Sequence, residues 1–358
     1  MFSNYFLLTA TGAAAMVGAL SYYWKKSLKE SQCGIDYPSV HYNSWKRLHN
    51  GFSMDQFLEM VKPLDDPSSY QMVLEKAMDL KKNKNSHVDS LILMSRINST
   101  IKKLDLENND LSDEIQLFID CNKCYAVLQR EAKQYYDLID AFINEDGYIK
   151  DPVLEHTTEY SYRYEGRQLK SRKFIKIIDR PLINCLMRTQ EIDIFNTWKW
   201  YQHGKTVTPS DGTYLCSIIS ILSKFIILNR AAYCWRLSFP LPDGSYIVSY
   251  NGANNRPSDY DLPPLPTGFA YPDIFYHGWR FIPLSKNKTM VISVMESDPK
   301  IWFLPFEYFI RMGKSFGCRE LKLLDEFSAT IAGTSYDKLK DREWYQNIKK
   351  DLSLLFKD

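Results

Sequence analysis

Near Tyr148 the hydrophobic period of the chain changes from helical to extended, and that switch limits the fold more than any other feature. TTEYSYRYE (157–165) alternates without a break: Thr158, Tyr160, Tyr162 and Tyr164 share one face, Glu159, Ser161, Arg163 and Glu165 the other. Glu165-Gly166-Arg167 turns into QLKSRKFIKIID, a second strand. Asp179-Arg-Pro181 then opens a short helix with Pro181 in its first turn. AAYCWRLSFPLP (231–242) alternates again, and Pro242-Asp-Gly244 turns it into SYIVSYNG. YHGWRFIPLS (276–285) and KTMVISVMESD (288–298) read as an antiparallel pair. In SDPKIWFLPFEYFIRMGKSFG (297–317) Pro305 sits where a helix starts and the period becomes helical once more. Strands followed by one long apolar helix predict an α+β domain over 148–332, with that helix covering an antiparallel sheet.

Upstream, residues 28–147 form a helical region. QMVLEKAMDLKKNKN (71–85) is one helix, Asp89 is the expected N-cap of another, and 111–143 reads as a single long helix. Its stripe of Ile115, Phe118, Ile119, Leu128, Tyr135, Leu138, Ile139 and Phe142 is what a core or helix–helix contact needs. No repeat period is present. The region carries no site of its own, which leaves 53–147 open to a protein partner. Cys121-Asn-Lys-Cys124 is a lone CxxC without a second pair or a matching His, so packing is expected there and no metal site.

The first 24 residues carry no charge. Residues 3–24 as a helix would span roughly 33 Å at about 1.5 Å per residue, enough for a hydrocarbon core of about 30 Å. Tyr5 at one end and Tyr22, Tyr23 and Trp24 at the other suit the two interfaces. A cleaved signal peptide is the rival, but no Lys or Arg precedes the apolar run, whereas Lys25, Lys26 and Lys29 follow it. The expectation is an uncleaved anchor over 1–27, making the chain a single-pass membrane protein with residues 25–358 on the cytosolic side.

The net charge of +2 excludes nucleic-acid binding by bulk electrostatics. Seven scattered cysteines do not make a disulfide scaffold. No GxSxG, HExxH, P-loop or GxGxxG after a strand occurs, so neither an enzyme nor a cofactor is expected. The tail 333–358 contains one amphipathic helix, with Trp344, Ile348, Leu352 and Leu355 at helical spacing, fit to dock on its own domain or to touch a membrane surface.

Three stretches in order resemble the START (steroidogenic-acute-regulatory-related lipid transfer) family. EIDIFNTWKW (191–200) is similar to the family's segment that ends in Trp after a short helix. SKFIILNRAAYCWRLSFPLPDGSYIVSYNG (223–252) resembles its aromatic–x–Arg strand, Pro-x-Pro hinge and aromatic strand. DLPPLPTGFAYPDIFYHGWRFIPLSKNKTMVISVMESDPKIWFLPFEYFIRM (261–312) resembles its Pro-rich loop, hairpin and Pro-started helix. The chain departs from the family at Asp243-Gly-Ser-Tyr246, where an Asn/Asp-Arg-Asp signature often stands.

The resemblance implies a helix-grip domain, a curved sheet around the C-terminal helix, holding one lipid, phospholipid or sterol, in an apolar cavity. Phe306, Phe309, Ile310, Gly313, Phe316 and Gly317 then line the cavity or its gate, their spacing placing them on one helix face. Gly313 and Gly317 would form a flat patch, although Gly317 is also a natural helix end. Trp235, Arg236 and Trp279 complete the expected lining. Arg236 alternates with Trp235 and Leu237; if its face is the interior, a phosphate headgroup is a candidate partner. The competing reading is a membrane-tethered interaction module whose START-like fold is filled by side chains. The same fold hosts some cyclases and hydrolases.

Overall fold

Five helices precede the sheet: α1 (Met54–Met60), α2 (Tyr70–Lys82), α3 (His87–Leu106), α4 (Leu111–Asp120) and α5 (Lys123–Ile143). The structure, a computed structural model, describes residues 53–82, 87–165, 168–191, 201–210, 213–220, 229–241, 243–252, 267–270, 273–298 and 306–356. These belong to the unit Asn50–Asp358. Ser53 opens α1 with a capping box: its hydroxyl accepts from the Gln56 N–H, and the Gln56 side chain accepts from the Ser53 N–H. The single helix expected over 111–143 is two. Asn122 adopts an extended backbone between them, and its Oδ1 accepts from the N–H groups of Cys124 and Tyr125, so it starts α5. Cys121 follows α4 and Cys124 lies in the first turn of α5, so both are exposed at the joint and not packed in the core. Helix α3 begins at His87, which moves Asp89 from the cap into the first turn.

The strands are β1 (Ile149–Glu155), β2 (Thr158–Glu165), β3 (Gln168–Ile178), β4 (Tyr201–Ser210), β5 (Thr213–Ser220), β6 (Asn229–Pro240), β7 (Tyr246–Gly252), β8 (Phe269–Ala270), β9 (Asp273–Ser285) and β10 (Lys288–Asp298). They form one sheet in the order β1-β2-β3-β10-β9-β7-β6-β5-β4, with antiparallel neighbours throughout, and the short β8 runs parallel to β6. Helix α6 (Leu182–Gln190) follows β3, α7 (Phe306–Phe327) follows β10, and α8 (Glu343–Leu355) ends the described chain. β1, β4 and β5 leave no clear alternation in the sequence. β1 and β4 are the edges, where Pro152, Pro209 and Gly204 cost no inner ladder bond but hide the strand pattern.

Alternation divides the sheet into two faces. The outer face packs against α5: Tyr135 meets Phe239 with ring centroids 5.4 Å apart, and Leu237, Ile247, Tyr276, Ile292 and Val294 join the core of α1–α5. A Cβ on Gly278 would lie 2.7 Å from Leu138 Cδ1, so glycine there lets α5 rest directly on β9. Lys173, buried on the same face, donates from Nζ to the carbonyls of Asn144 (2.8 Å) and Phe142 (3.4 Å) at the end of α5. The change at 147/148 is thus a change of secondary structure inside one shared core. The inner face packs against α6, α7 and α8. Among the described residues no helix is long and apolar enough to cross a membrane; the expected anchor over 3–24 lies outside them.

Candidate functional site

The registers of β2, β3, β10, β9, β7 and β6 carry no shift across the middle of the sheet, so inner-face residues line up in rows. One row reads Tyr160, Phe174, Ser293, Trp279, Val248, Ser238. The next, two residues along each strand, reads Tyr162, Arg172, Met295, His277, Tyr250, Arg236. Neighbours in a row are about 4.8 Å apart, within reach of a single headgroup over two or three strands.

The first row is covered by helix. A Cβ on Gly317 would fall within 2.6 Å of three ring atoms of Phe174, so α7 lies directly on the sheet there. Gly317 does not end the helix, which continues to Phe327. Leu321 and Leu324 of α7 and Leu182 and Leu186 of α6 fill the adjoining inner core. Lys176, at the deep end, donates to His156 O (2.7 Å) and Thr157 Oγ1 (2.6 Å) and lies 3.7 Å from Asp325 of α7.

The second row is polar. Arg172 Nη2 donates to Ser297 Oγ at 2.5 Å. Its guanidinium lies under Gly313, where a Cβ would sit 2.8 Å from Nη1. Burial lowers the Arg172 pKa, opposed by Tyr160, Tyr276 and Glu320, and the group remains a cation. Glu320 projects from α7 at 3% exposure, its Oε2 3.5 Å from His277 Nε2. The His277 ring lies against Trp279, centroids 3.9 Å apart. Arg172 Nε, His277 Nε2 and Ser293 Oγ are buried without a hydrogen-bond partner. Such atoms cost free energy unless a ligand or water satisfies them.

Arg236 does face the interior, but its Nη1 donates to the Gln190 carbonyl at the end of α6. A cation there complements the negative end of the helix. Ser238 Oγ donates to Gln190 Oε1, and Tyr250 OH to Thr189 O at 2.5 Å. This end of the row holds α6 in place, and the phosphate role expected for Arg236 gives way to a helix cap. Beyond it Glu191 accepts from Tyr345 OH (2.6 Å) and Arg342 Nη1 (3.1 Å), docking the 333–358 tail on its own domain.

Of the expected lining, Ile310, Gly313 and Gly317 face the sheet, Phe316 is half-buried beside them, and Trp279 lies on the inner face. The two glycines make close contacts with Phe174 and Arg172 and leave no flat open patch between helix and sheet. Trp235 alternates onto the outer face with Leu237 and Phe239, since the β6–β7 register is continuous from Cys234 to Pro240; it does not line the interior. The side chains of Phe306 and Phe309 lie outside the described residues. Arg172, His277, Ser293 and Glu320 were not singled out from the sequence as a site. A signal existed for two of them: Glu320 falls seven residues after Gly313 on the apolar stripe, and Arg172 shares a strand face with Phe174. Among the described residues no three His, Cys, Asp or Glu side chains are placed to hold a metal ion.

The architecture is similar to that of StAR-related lipid transfer domains. Human STARD10 aligns at 13% identity and a TM-score of 0.48, covering 60% of this chain and 82% of its own. Human StAR-related lipid transfer protein 5 aligns at 13% and 0.45, covering 65% and 99%. The domain is START-like. Zhui aromatase/cyclase from a Streptomyces is a more distant likeness to the START-like domain, at 9% and 0.32, covering 46% and 98%. The strand order and α7 lying across the inner face define this fold. No family model and no curated protein sequence matches the chain.

Proposed function

We propose that the START-like domain binds a single lipid on the inner face of its sheet, beside α7, and carries it between membranes. The observation behind this reading is the amphipathic interior: across two adjacent rows, three buried polar atoms without a hydrogen bond, Arg172 Nε, His277 Nε2 and Ser293 Oγ, next to aromatic and aliphatic walls. A lipid offers both surfaces, a polar head for these atoms and an acyl or ring portion for the walls. The work done is desolvation. A chain of about 16 carbons exposed to water costs on the order of 12 kcal/mol at about 0.8 kcal/mol per CH₂, and an enclosing site removes that cost in transit. No catalytic step is part of the proposal.

We also propose that residues 3–24 anchor the chain in a membrane with 25–358 on the cytosolic side. That reading rests on the uncharged run and the lysines that follow it. Recovery of C-terminally tagged protein in the carbonate-soluble fraction would exclude it.

One observation favours the second reading, a filled fold that serves as an interaction module: Gly317 leaves no gap over Phe174. Lipid extraction from the immunopurified full chain separates the two. Lipid carriage requires close to one lipid per protein, retained through washing. Trace lipid at the level of an unrelated membrane protein supports the filled fold.

A further inference from the structure

We infer that Cys216 and Cys234 make up a peroxide-responsive disulfide site across β5 and β6, a property that goes beyond lipid binding and stands without it. The two residues are register partners on antiparallel strands, and the pairing runs without a shift from Tyr214↔Arg236 to Ser220↔Arg230. Directly opposite residues of such a pair share a face, with Cα atoms about 4.5 or 5.5 Å apart according to the hydrogen-bonding position. A disulfide needs Cα atoms about 4.4–6.8 Å apart, so either position closes one without moving the strands. Cys234 is buried in the inner core. The other described cysteines have no such arrangement: Cys185 lies in α6, Cys318 in α7, and Cys121 and Cys124 at the α4–α5 joint.

The step balances with hydrogen peroxide as the oxidant. One cysteine, as its thiolate, attacks a peroxide oxygen; the O–O bond breaks, giving a sulfenic acid and a hydroxide that takes up the released proton as water. The second cysteine attacks that sulfur, the S–S bond forms, and the departing hydroxide takes the second thiol proton to become water. Sulfur is oxidised and peroxide oxygen reduced, and a dithiol reverses the change by exchange. Peroxide, little larger than water, suits a pair set inside a core, whereas a protein oxidant would first have to part the strands. With 25–358 on the reducing side of the membrane, as proposed above, the bond is transient and not a permanent staple. Closing it ties β5 to β6 two residues from Arg236, which holds the end of α6.

The test uses the full chain in cells that express it, exposed briefly to hydrogen peroxide, quenched with N-ethylmaleimide in urea and digested with trypsin without reduction. Cleavage after Lys205, Lys224, Arg230 and Arg236 puts the two cysteines on separate peptides, 206–224 and 231–236. Peroxide should convert most of both peptides into one joined species in mass spectrometry, and dithiothreitol added before the quench should return them separately. Under the same exposure Cys216→Ser should leave Cys234 without a disulfide to any other cysteine. Recovery of both peptides with maleimide attached, or of either cysteine joined to a different one, overturns the inference. So does oxidation of either cysteine to sulfinic acid with no joined peptide. If Cys216→Ser does not accumulate as folded protein, the presence or absence of the joined peptide in the unsubstituted chain decides.

Discussion

Gly317 of α7 rests on the ring of Phe174 in β3, so closely that a Cβ would come within 2.6 Å of three ring atoms. The ring has nowhere to go: Phe174 is 1% exposed and stacked on Tyr160 at 4.9 Å. Gly317→Ala should therefore destabilise the domain. Overpacking costs about 1–3 kcal/mol, against a gain of about 1 kcal/mol from replacing glycine inside a helix. The expected net loss reaches about 2 kcal/mol in urea denaturation, and Phe174→Leu in the same chain should recover part of it. A rise in stability, the usual result of Gly→Ala on an open helix face, would show that α7 does not sit on the sheet.

Lys173 gives a pH signature on the opposite face. Burial lowers its pKa to about 8 from the ordinary 10.5, so above pH 8 the unfolded chain holds a proton that the folded chain gives up. Stability therefore rises with pH through this window, by about 1 kcal/mol from pH 8 to 9, and is lost as pH falls through 8. Burial also pushes the Cys185 and Cys318 thiols up to about 12, which lowers stability once pH passes the ordinary thiol value near 9. Lys173→Met removes only the first effect. The difference between the two proteins in denaturation free energy should change with pH by that amount; a constant difference from pH 7 to 9 would refute the buried cation.

The same two thiols should resist alkylation. A cysteine at about 12 is only about one part in ten thousand thiolate at pH 8. Cys121 and Cys124 are exposed at the α4–α5 joint, open to the reagent. Peptide mapping after a short exposure to iodoacetamide should find label at Cys121 and Cys124 and none at Cys185 or Cys318 until urea is added. Early label at Cys318 would mean that α7 lifts from the sheet in the native protein.

How much of this was legible follows from where each signal lies. The strands at 158–165, 168–178, 231–240 and 276–298 could be read because their two faces meet different surroundings, giving strict alternation. β4 and β5 could not, since YQHGKTVTPS mixes Gly and Pro into an edge strand. The break at Asn122 was hidden by an apolar stripe that runs on through both helices; a single side-chain oxygen on two N–H groups decides it. The polar cluster was the least visible part of the site. Arg172, Ser293, His277 and Glu320 are separated by up to 148 positions and meet only through the β3-β10-β9 register and the contact of α7 with the sheet. A periodicity analysis ranks apolar positions, so it favours the aromatic stripe and passes over the charges placed within it. Trp235 shows the converse: a large aromatic in an aromatic strand, on the face away from the site.

Tyr345 provides the last test, of the C-terminal helix as a fixed part of the domain. Its ring is 1% exposed in the inner core, and its hydroxyl donates to Glu191 Oε1 at 2.6 Å. Arg342 lies on the same carboxylate at 3.1 Å, and Asp351 accepts from Tyr246 at 3.0 Å. Tyr345→Phe keeps the ring and removes the donor, so the cost is that of one charge-assisted hydrogen bond, about 1.5–3 kcal/mol. The loss should be local. Amide exchange across 343–355 should accelerate while that of α7 stays unchanged, because Ile348 still docks and the sheet contacts of α7 are untouched. Equal acceleration in α7 would show that the two helices open as one unit, and unchanged exchange in α8 would show that the Glu191 contact does not hold it.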